Sequence, residues 1–336
     1  MGVAAINPNY SAAQLDGLDS LSVHAVNRVS RIAIVIPTFN AEAYWERLTN
    51  SLRAAGARPQ DVLVIDSSSL DKTQELARKS GFRLVSIPQN EFNHGGTRQL
   101  ACDCLGDVDA FVMMTQDAVL DSEHSLEALC RALDNPRVGA AYGRQIGREE
   151  ANAIERHSRI FNYPETARLL TLESRDTLGL RAAFLSNSFA IYRKEALDEV
   201  GGFPADVIFA EDSYVAAKML LAGWTISYVA DASVIHSHHF RVLQEFRRYF
   251  DIGVHHSRER WLLDSFGAAS GEGARFIRSE FRYLVRHAPH LIPLAMVRSL
   301  SKLVAYRMGG RWQSLPAGLV RKLSSSNSFW KSEGQR

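Results

Sequence analysis

From residue 31 onward, short apolar segments alternate with amphipathic segments of helical length. The apolar segments are IAIVIPTF, DVLVIDSS, RLVSIP and FVMMTQDA, and the segments that follow them are residues 41–55, 71–80, 97–105 and 122–135. Strands that alternate with helices of this length form βαβ units, in which helices cover both faces of a parallel sheet. The alternation therefore predicts an α/β fold with a Rossmann-like, mostly parallel sheet.

The alternation weakens after residue 147, and the last strand-like segment, TISYVADASVIHSH, ends at residue 238. We therefore expect an α/β domain over residues 31–238 and a helical, basic region over residues 239–336. Residues 1–30 lack the basic-then-apolar order of a secretory signal, and we interpret them as a mobile leader. With 336 residues, 46% of them hydrophobic, the chain has enough apolar material for one or two domains.

Positive charge is concentrated in the C-terminal part. Residues 275–336 contain twelve lysines and arginines against Glu280 and Glu333, so they carry +10 while residues 1–274 carry −8. This asymmetry predicts contact with phosphates or an anionic membrane, and an ordinary solvated helical surface is the alternative. No apolar segment approaches the roughly 20 residues of a spanning helix. Three cysteines without zinc-type spacing favour a reducing cytosol.

Polar residues follow several of the predicted strands. In open α/β sheets, ligands bind beyond the carboxyl ends of the strands. Any one such residue is more often a loop residue than a ligand, but four strand ends that agree predict a binding site. The candidates are Thr38, Asn40, Asp66, Ser67, Ser68, the loop after Pro88, and Asp117.

Several motifs of other α/β and metal-dependent enzymes are missing from the sequence. It has no GxxxxGK[ST] phosphate loop, no GxGxxG after the first strand, no HExxH and no GxSxG. These absences argue against P-loop NTPases, dinucleotide-dependent dehydrogenases, zincins and α/β-hydrolases.

The motifs that are present resemble the family-2 glycosyltransferases, whose fold is called GT-A. They are PTFN, an aspartate followed by serines and DKT, TQDA, FAEDSYVAAKMLLAGW and IHSH, in that order. The resemblance covers roughly residues 31–240. NEFNHGGTRQLA, TQDA, RIFNYP and AYRMGGRWQSLP are most similar to bacterial rhamnosyltransferases that build surface polysaccharides. The resemblance implies a GT-A domain followed by a C-terminal helical extension.

The resemblance also implies which residues line the nucleotide-sugar. A carboxylate such as Asp66 accepts the hydrogen bond that the imide N–H of uracil or thymine offers. Arg98, after HGGT at a helix start, would contact the nucleotide or its diphosphate. For these residues the alternatives are helix caps, turn acids and a surface salt bridge. The full set is Pro37, Thr38, Asn40, Asp66, Ser68, Arg98, Thr115 and Gln116.

Asp117 matches the final acid of the D-x-D element that binds a divalent metal in sugar-nucleotide transferases of this fold. Thr115 stands where the first acid usually stands, which departs from the commonest pattern. The expected ion is Mg²⁺ or Mn²⁺, with the donor phosphates completing its shell. His236 resembles a further ligand, and His238 is its rival. A buried histidine bonded to backbone is the structural alternative for His236.

The resemblance gives Asp212 the role of general base. Glu211 and Asp212 open a helix, whose dipole keeps a carboxylate ionised while it waits for a hydroxyl. Glu211 would assist or bind the acceptor, and a capping pair is the structural alternative. Asn187 and Ser188, which follow the predicted strand AFLS and precede FAIYRKEAL, match a region that faces the donor sugar or the acceptor. Trp224 could offer an aromatic platform, although such a tryptophan is more often part of a core.

Together these expectations describe a metal-dependent, inverting glycosyltransferase that moves rhamnose from dTDP-rhamnose to a saccharide on a lipid carrier. The basic C-terminal region would hold it, as a peripheral protein, at the cytoplasmic face of the membrane. One alternative is a UDP-hexose or UDP-N-acetylhexosamine transferase of the same fold. Another is a non-catalytic saccharide-binding protein, which the replacement of the first acid by Thr115 motivates. No nucleic-acid partner is expected, and a homo-oligomer is left open.

Overall fold

The computed structural model describes residues 29–236, 240–267 and 271–333, and within them nine strands form a single sheet. The strand order is β3-β2-β1-β4-β8-β6-β9-β5, and β7 pairs with β9 outside this path. The strands are β1 (Ile32–Thr38), β2 (Val62–Asp66), β3 (Arg83–Ser86), β4 (Ala110–Met114), β5 (Val119–Leu120), β6 (Val138–Ile146), β7 (Arg168–Leu170), β8 (Phe189–Arg193) and β9 (Thr225–Ile235).

The directions of the strands bring many chain ends to one edge of the sheet. Strands β1 to β4 are mutually parallel where they pair, β8 runs antiparallel to both β4 and β6, and β6 is parallel to β9. The carboxyl ends of β1, β2, β4, β6 and β9 therefore meet the amino end of β8. We call this the site edge. The predicted α/β fold is confirmed, with a parallel first half and a mixed second half.

Eight helices of the described chain interleave with these strands: α1 (Glu42–Ala54), α2 (Thr73–Lys79), α3 (His94–Leu105), α4 (Ser125–Arg131), α5 (Ala153–Asn162), α6 (Arg175–Leu178), α7 (Lys194–Glu199) and α8 (Glu211–Leu221). The helix predicted over 122–135 is shorter, because a 3₁₀ turn at Ala132–Asp134 follows α4. The segment AFLS, expected as a strand, is not one. Its end turns instead, with the N–H of Phe189 donating to the carbonyl of Ser186.

The sheet separates two hydrophobic clusters, one on each face. In β1, Val35 joins one cluster while Ile34 and Ile36 join the other, and in β4 Phe111 and Val112 divide in the same way. Alternate side chains of a strand point to opposite faces, so a strand covered by helices on both sides is apolar throughout. This explains why β1 and β4 read as unbroken apolar runs.

The C-terminal helices are α9 (Val242–Arg258), α10 (Arg260–Phe266), α11 (Glu272–His287), α12 (Ile292–Gly309), α13 (Ala317–Leu323) and α14 (Asn327–Glu333). Helices α9 and α12 cross closely, since a Cβ atom on Gly309 would lie 2.0 Å from the carbonyl oxygen of Phe250. Phe250 and Trp330 share a cluster with Ile208, which attaches these helices to the loop before α8. Over the described residues, every helix is too short or too polar to cross a bilayer.

Candidate active site

Asp117 and His236 face each other at the site edge. Asp117 follows β4 and His236 follows β9, and His236 Nε2 lies 3.3 Å from Asp117 Oδ1. Both residues are buried, and Arg148 Nη2 approaches Asp117 Oδ2 at 3.5 Å. The structure therefore brings together the two residues for which the sequence predicts a metal. His238, the rival ligand, lies outside the described residues.

Gln145, near the end of β6, fixes the orientation of the His236 ring. Its Oε1 accepts a hydrogen bond from Arg159 Nη1 at 2.7 Å and lies 2.9 Å from His236 Nδ1. An amide oxygen only accepts, so Nδ1 carries the proton and donates it to Gln145. Burial lowers the pKa of His236, and this effect outweighs the opposing effect of the nearby Asp117 carboxylate. The neutral ring then directs its Nε2 lone pair toward Asp117.

This donor set fits a divalent cation. An imidazole lone pair and a carboxylate oxygen converge, and an outer amide fixes the tautomer, as is usual around metal-bound histidines. No group of three or more His, Cys, Asp or Glu side chains with metal-ligand geometry occurs in the described parts of the chain. Asp117 and His236 would therefore hold Mg²⁺ or Mn²⁺ together with oxygen ligands from a bound phosphate.

Thr115, at the position of the missing first acid, has a buried hydroxyl. No described residue forms a hydrogen bond with its Oγ1. Its backbone is held from the other side, since the N–H of Thr115 donates to the carbonyl of Ser188 at 3.4 Å. A buried hydroxyl without a protein partner is costly unless a ligand or water satisfies it. Thr115 is thus placed to hydrogen-bond a ligand next to Asp117.

Glu211 and Asp212 begin α8 and differ in their surroundings. Glu211 forms a buried ion pair with Arg98, with Arg98 Nη1 3.0 Å from Glu211 Oε1. Burial alone would raise the pKa of Glu211, but the charge of Arg98 contributes to lowering it. Burial, followed by the charge of Glu211, raises the pKa of Asp212 to about 7. Two adjacent acids thus divide into a fixed anion and a group that titrates near neutrality.

Asn187 connects both acids of α8. Its side-chain amide donates to Glu211 Oε1 at 3.0 Å, and its backbone N–H donates to Asp212 Oδ2 at 3.2 Å. The buried Tyr192 hydroxyl holds the Asn187 side chain by donating to its Oδ1 at 2.7 Å. Asn187 and Ser188 lie at the amino end of β8, which is why they reach the site edge. The structure therefore joins Asn187 to the predicted base and places Ser188 next to it.

The segment before β8 also reaches the Asp117 side of the site. Gln145 Nε2 donates to Ser186 Oγ at 2.8 Å, and the carbonyl of Ser188 receives the N–H of Thr115. Ser186, Asn187 and Ser188 therefore contact the histidine-orienting amide, the two acids of α8 and the D-x-D-like segment. This short segment therefore links the loop that carries Thr115 and Asp117 to Asp212.

The predicted nucleotide residues form one bonded group at the ends of β1 and β2. Asp66 is fully buried and accepts hydrogen bonds from Thr38 Oγ1 at 3.0 Å, Gln74 Nε2 at 2.7 Å and the N–H of Ser69 at 2.9 Å. A base N–H would have to replace one of these donors. The side chain of Asn40 also belongs to this group, since its Oδ1 accepts from the N–H of Leu70 at 2.9 Å.

Two further predicted residues join the loops of the site edge. Gln116 clamps the backbone of Phe39, accepting from its N–H at 2.7 Å and donating to its carbonyl at 3.1 Å. Ser68 Oγ donates to the carbonyl of Ile87 at 2.8 Å. Pro37, which lies within β1, is partly buried beside this group.

Backbone strain is concentrated at this edge. Among the described residues other than glycine, Asn40, Ser68 and Ala210 have positive φ, at 50°, 60° and 55°. Left-handed backbone costs an L-residue about 1 kcal/mol or more and persists where the surroundings over-determine it. Ala210 immediately precedes Glu211 and Asp212, so its left-handed backbone sets the direction in which the chain enters α8 and with it the position of the two acids.

Arg98 and Trp224 have surroundings other than those expected. Arg98 is 4% exposed, and its guanidinium contacts Glu211 and the carbonyl of His94. Trp224 precedes β9 at the amino ends of the parallel strands, opposite the site edge, and its Nε1 donates to Glu199 at 2.8 Å. The structure does not bring Trp224 to the predicted site.

The sequence prediction missed Gln145, Arg148 and Arg159. Gln145 and Arg159 orient the histidine, and Arg148 lies beside Asp117. Arg159 belongs to the RIFNYP motif, which contributes to the resemblance but predicts no role for this arginine. The end of β6 is a strand end like those of β1 and β4, so the same rule could have identified Gln145.

The family model described as "Glycosyl transferase family 2" matches residues 33–201, half of the chain. The chain is 38% identical over 301 residues to the O-antigen chain rhamnosyltransferase RfbN of Salmonella typhimurium, covering 89% of this chain and 96% of that protein. It is 39% identical over 298 residues to the O-antigen chain rhamnosyltransferase WbaN of Salmonella anatum, covering 88% and 95%.

Two solved structures resemble the fold at low sequence identity. The mannosyltransferase PcManGT from Pyrobaculum calidifontis, in complex with GDP-Man and Mn²⁺, has a TM-score of 0.51 and 17% identity, covering 91% of this chain and 86% of its own. Staphylococcus aureus TarS 1-349 in complex with UDP-GlcNAc has a TM-score of 0.50 and 18% identity, covering 84% and 91%. At such identities these similarities establish the fold alone.

Proposed function

The chain belongs to glycosyl transferase family 2 and has the GT-A fold, and from this premise we propose that it transfers rhamnose from dTDP-rhamnose with inversion. The acceptor is a saccharide of an O-antigen-like surface polysaccharide, carried on a lipid diphosphate. The names of the two Salmonella relatives, which this chain matches over nearly their whole length, support rhamnose as the sugar and an O-antigen-like saccharide as the acceptor.

Asp212 is the general base of this reaction. A base works best when its pKa lies near the operating pH, and burial together with Glu211 raises the pKa of Asp212 to about 7. As the acceptor oxygen bonds to the anomeric carbon, its proton passes to Asp212, and the bond from that carbon to the diphosphate breaks. Asn187 holds Asp212 Oδ2 through its backbone N–H, which fixes the direction of the carboxylate.

Asp117 and His236 are the residues that would hold a divalent metal. When bound, such an ion neutralises the charge that develops on a departing diphosphate. The chain contributes the fixed tautomer of His236, set by Gln145 and Arg159. Thr115 offers a neutral hydroxyl for the donor where the usual first acid would stand.

A single observation supports this assignment most strongly: residues 186–188 connect the Asp117 side of the site to Asp212. A displacement needs charge stabilisation on the leaving side and a proton acceptor on the attacking side. The bonded segment supports both within one site.

A panel of sugar nucleotides tests the proposal. The panel contains dTDP-rhamnose, UDP-glucose, UDP-N-acetylglucosamine and GDP-mannose, each with EDTA or with added Mg²⁺ or Mn²⁺. We expect hydrolysis of dTDP-rhamnose, with water in place of the acceptor hydroxyl, to release dTDP and rhamnose. EDTA should abolish this release, and added metal should restore it. Preference for a UDP-sugar would identify the alternative donor class, since uracil and thymine share the imide edge that Asp66 would bind. Binding without release from any donor would favour a saccharide-binding protein.

The site of action proposed is the cytoplasmic face of the membrane, where a lipid-linked acceptor would be presented. The net charge of +10 in residues 275–336 supports a peripheral attachment there.

A further inference from the structure

Helix α12 turns its apolar side outward. Met296 is 67% exposed and Leu300 63%, and Leu303 continues the same row at i+7. The buried side of this helix instead carries Arg298, together with small residues such as Ala305. A water-soluble helix normally has the opposite arrangement, with its apolar stripe against the core.

The inward cations explain this orientation. Glu245 of α9 receives two of them, with Arg298 Nε 3.6 Å from Oε2 and Lys302 Nζ 3.2 Å from Oε1. Arg298 Nη2 also donates to the carbonyl of Phe240 at 2.7 Å. The close crossing at Gly309 fixes the same side of the helix against α9. The leucines cannot turn inward without breaking these contacts.

Helix α11 carries two adjacent rows of exposed side chains. It precedes α12 in the chain, and a 3₁₀ turn at Pro289–Leu291 connects the two helices. Residues four apart lie on one side of a helix. The apolar row is Ile277, Phe281 and Val285, each about half exposed, and the cationic row is Arg278, Arg282 and Arg286. Of the acids in α11, Glu280 is buried and Glu272 bonds Arg275 and Arg181.

We propose that these exposed rows of α11 and α12 dock on the surface of a bilayer that contains anionic phospholipid. We call them the α11–α12 surface: Ile277, Phe281, Val285, Met296, Leu300, Leu303 and the row Arg278, Arg282 and Arg286. Apolar side chains enter the boundary of the acyl chains, while the arginines face the headgroup phosphates. The inference rests on the proposed function, because a lipid-linked acceptor requires the enzyme at that surface.

Charge complementarity favours lipid over a second copy of this chain. In a two-fold dimer the same patch meets itself, so rows of arginine that border the apolar residues would face like charges. An anionic headgroup layer presents the opposite charge along the whole surface. Its attraction adds to the burial of the apolar row and weakens with added salt.

Flotation of the full-length protein with vesicles tests the α11–α12 surface. The vesicles are phosphatidylcholine alone or phosphatidylcholine with phosphatidylglycerol. We expect wild-type protein to float with the anionic vesicles, and the double variant Met296→Glu, Leu300→Glu to bind them about tenfold less. Leu221→Glu, an exposed leucine of α8, is the matched control and should float like wild type.

A second variant separates charge from apolar burial. Arg278→Gln, Arg282→Gln and Arg286→Gln together should weaken binding to anionic vesicles and remove most of its salt dependence. Wild-type protein that stays with the lipid-free fraction would overturn the proposal, as would a glutamate variant that floats normally. If the wild-type protein is a dimer that the two glutamates dissociate, while the glutamate variant floats like wild type, the surface would be assigned to a second copy of the chain.

Hydrolysis of dTDP-rhamnose to dTDP and rhamnose, measured without vesicles, separates this inference from the proposed function. Both sets of variants should retain that activity at the wild-type rate, which also shows that they fold. A wild-type protein that floats but never releases dTDP would contradict the proposed donor reaction and leave the lipid-docking surface supported.

Discussion

The backbone N–H of Asn187 donates to Oδ2 of Asp212 at 3.2 Å, so the residue that enters β8 fixes the acid that begins α8. The same residue holds Glu211 through its side-chain amide. Ser188, the next residue, accepts from the N–H of Thr115. The residues at the amino end of the antiparallel strand β8 therefore contact both the loop of Thr115 and the two acids of α8. These contacts link parts of the site that lie far apart in the chain.

The first prediction concerns Asp212→Asn. An asparagine oxygen can still accept from one of the two backbone N–H groups, of Asn187 and Ser213, that bond Asp212, so the fold and donor binding should be retained. The variant cannot take a proton, and we expect kcat to fall by about 10²–10⁴-fold with little change in donor affinity. Steady-state kinetics and donor titration measure the two quantities.

Asp231→Asn is the matched control, because Asp231 is an exposed acid of β9. It should leave kcat at the wild-type value. An Asp212→Asn enzyme with normal turnover would show that another group accepts the proton.

The second prediction concerns the pH dependence of the reaction. Because Asp212 must be ionised to act as a base, wild-type kcat/KM should rise with pH through about 7, the value to which burial and Glu211 raise its pKa. Glu211→Gln removes the neighbouring negative charge, so the pKa of Asp212 falls and the rise moves to lower pH. A pH series of kcat/KM for both proteins measures the shift.

Glu211→Gln has a second expected effect, on stability. It leaves the buried Arg98 guanidinium without its carboxylate, which typically costs about 3–5 kcal/mol of unfolding free energy. Glu195→Gln, at an exposed acid of α7, is the control for both measurements. An unmoved pH profile in a destabilised Glu211→Gln protein would mean that Glu211 does not act on the group that titrates in catalysis.

The sequence allowed the site edge to be predicted because parallel strands place their carboxyl ends together. Thr38, Asp66 and Asp117 each follow such a strand or end it, and the strand pattern located them there. His236, which follows β9, was located by the family resemblance. The confirmed family explains why the motif order was informative. The predicted pairing of Asp117 with His236 needed only that β4 and β9 share a direction.

The remaining features depend on contacts between distant parts of the chain. The glycines before Arg98 indicated a helix start, which is correct, but its partner Glu211 belongs to another helix. Asn187 follows AFLS, an apolar segment that predicts a strand but does not form one. It lies just before β8, which is antiparallel to β4, and the apolar pattern does not encode the direction of a strand. Trp224 is aromatic and close in sequence to α8, yet strand direction places it at the opposite edge.

The third prediction compares two buried threonine hydroxyls. Thr38 Oγ1 donates to Asp66 at 3.0 Å, whereas no described residue bonds Thr115 Oγ1. Thr38→Val should therefore cost about 1–3 kcal/mol of unfolding free energy, and Thr115→Val should cost almost none. If the Thr115 hydroxyl bonds the donor, Thr115→Val should raise the donor KM several-fold with kcat nearly unchanged.

Denaturant unfolding and donor kinetics on the two valine variants decide the role of Thr115. Equal destabilisation of both would make Thr115 a structural residue. A normal donor KM in Thr115→Val would remove it from the nucleotide-sugar site.

The last prediction concerns the crossing of α9 and α12. A Cβ atom on Gly309 would lie 2.0 Å from the carbonyl oxygen of Phe250, so Gly309→Ala must push the helices apart or distort them. Overpacking of this kind typically costs about 1–3 kcal/mol.

At the neighbouring Gly310, the nearest atom to a new Cβ would be the Tyr306 carbonyl oxygen at 3.5 Å, an ordinary contact. Gly310→Ala should therefore be neutral or slightly stabilising, since alanine restricts the unfolded chain more than glycine does. Thermal unfolding of the two variants measures the difference, and equal melting temperatures would show that α9 and α12 do not pack this closely in solution.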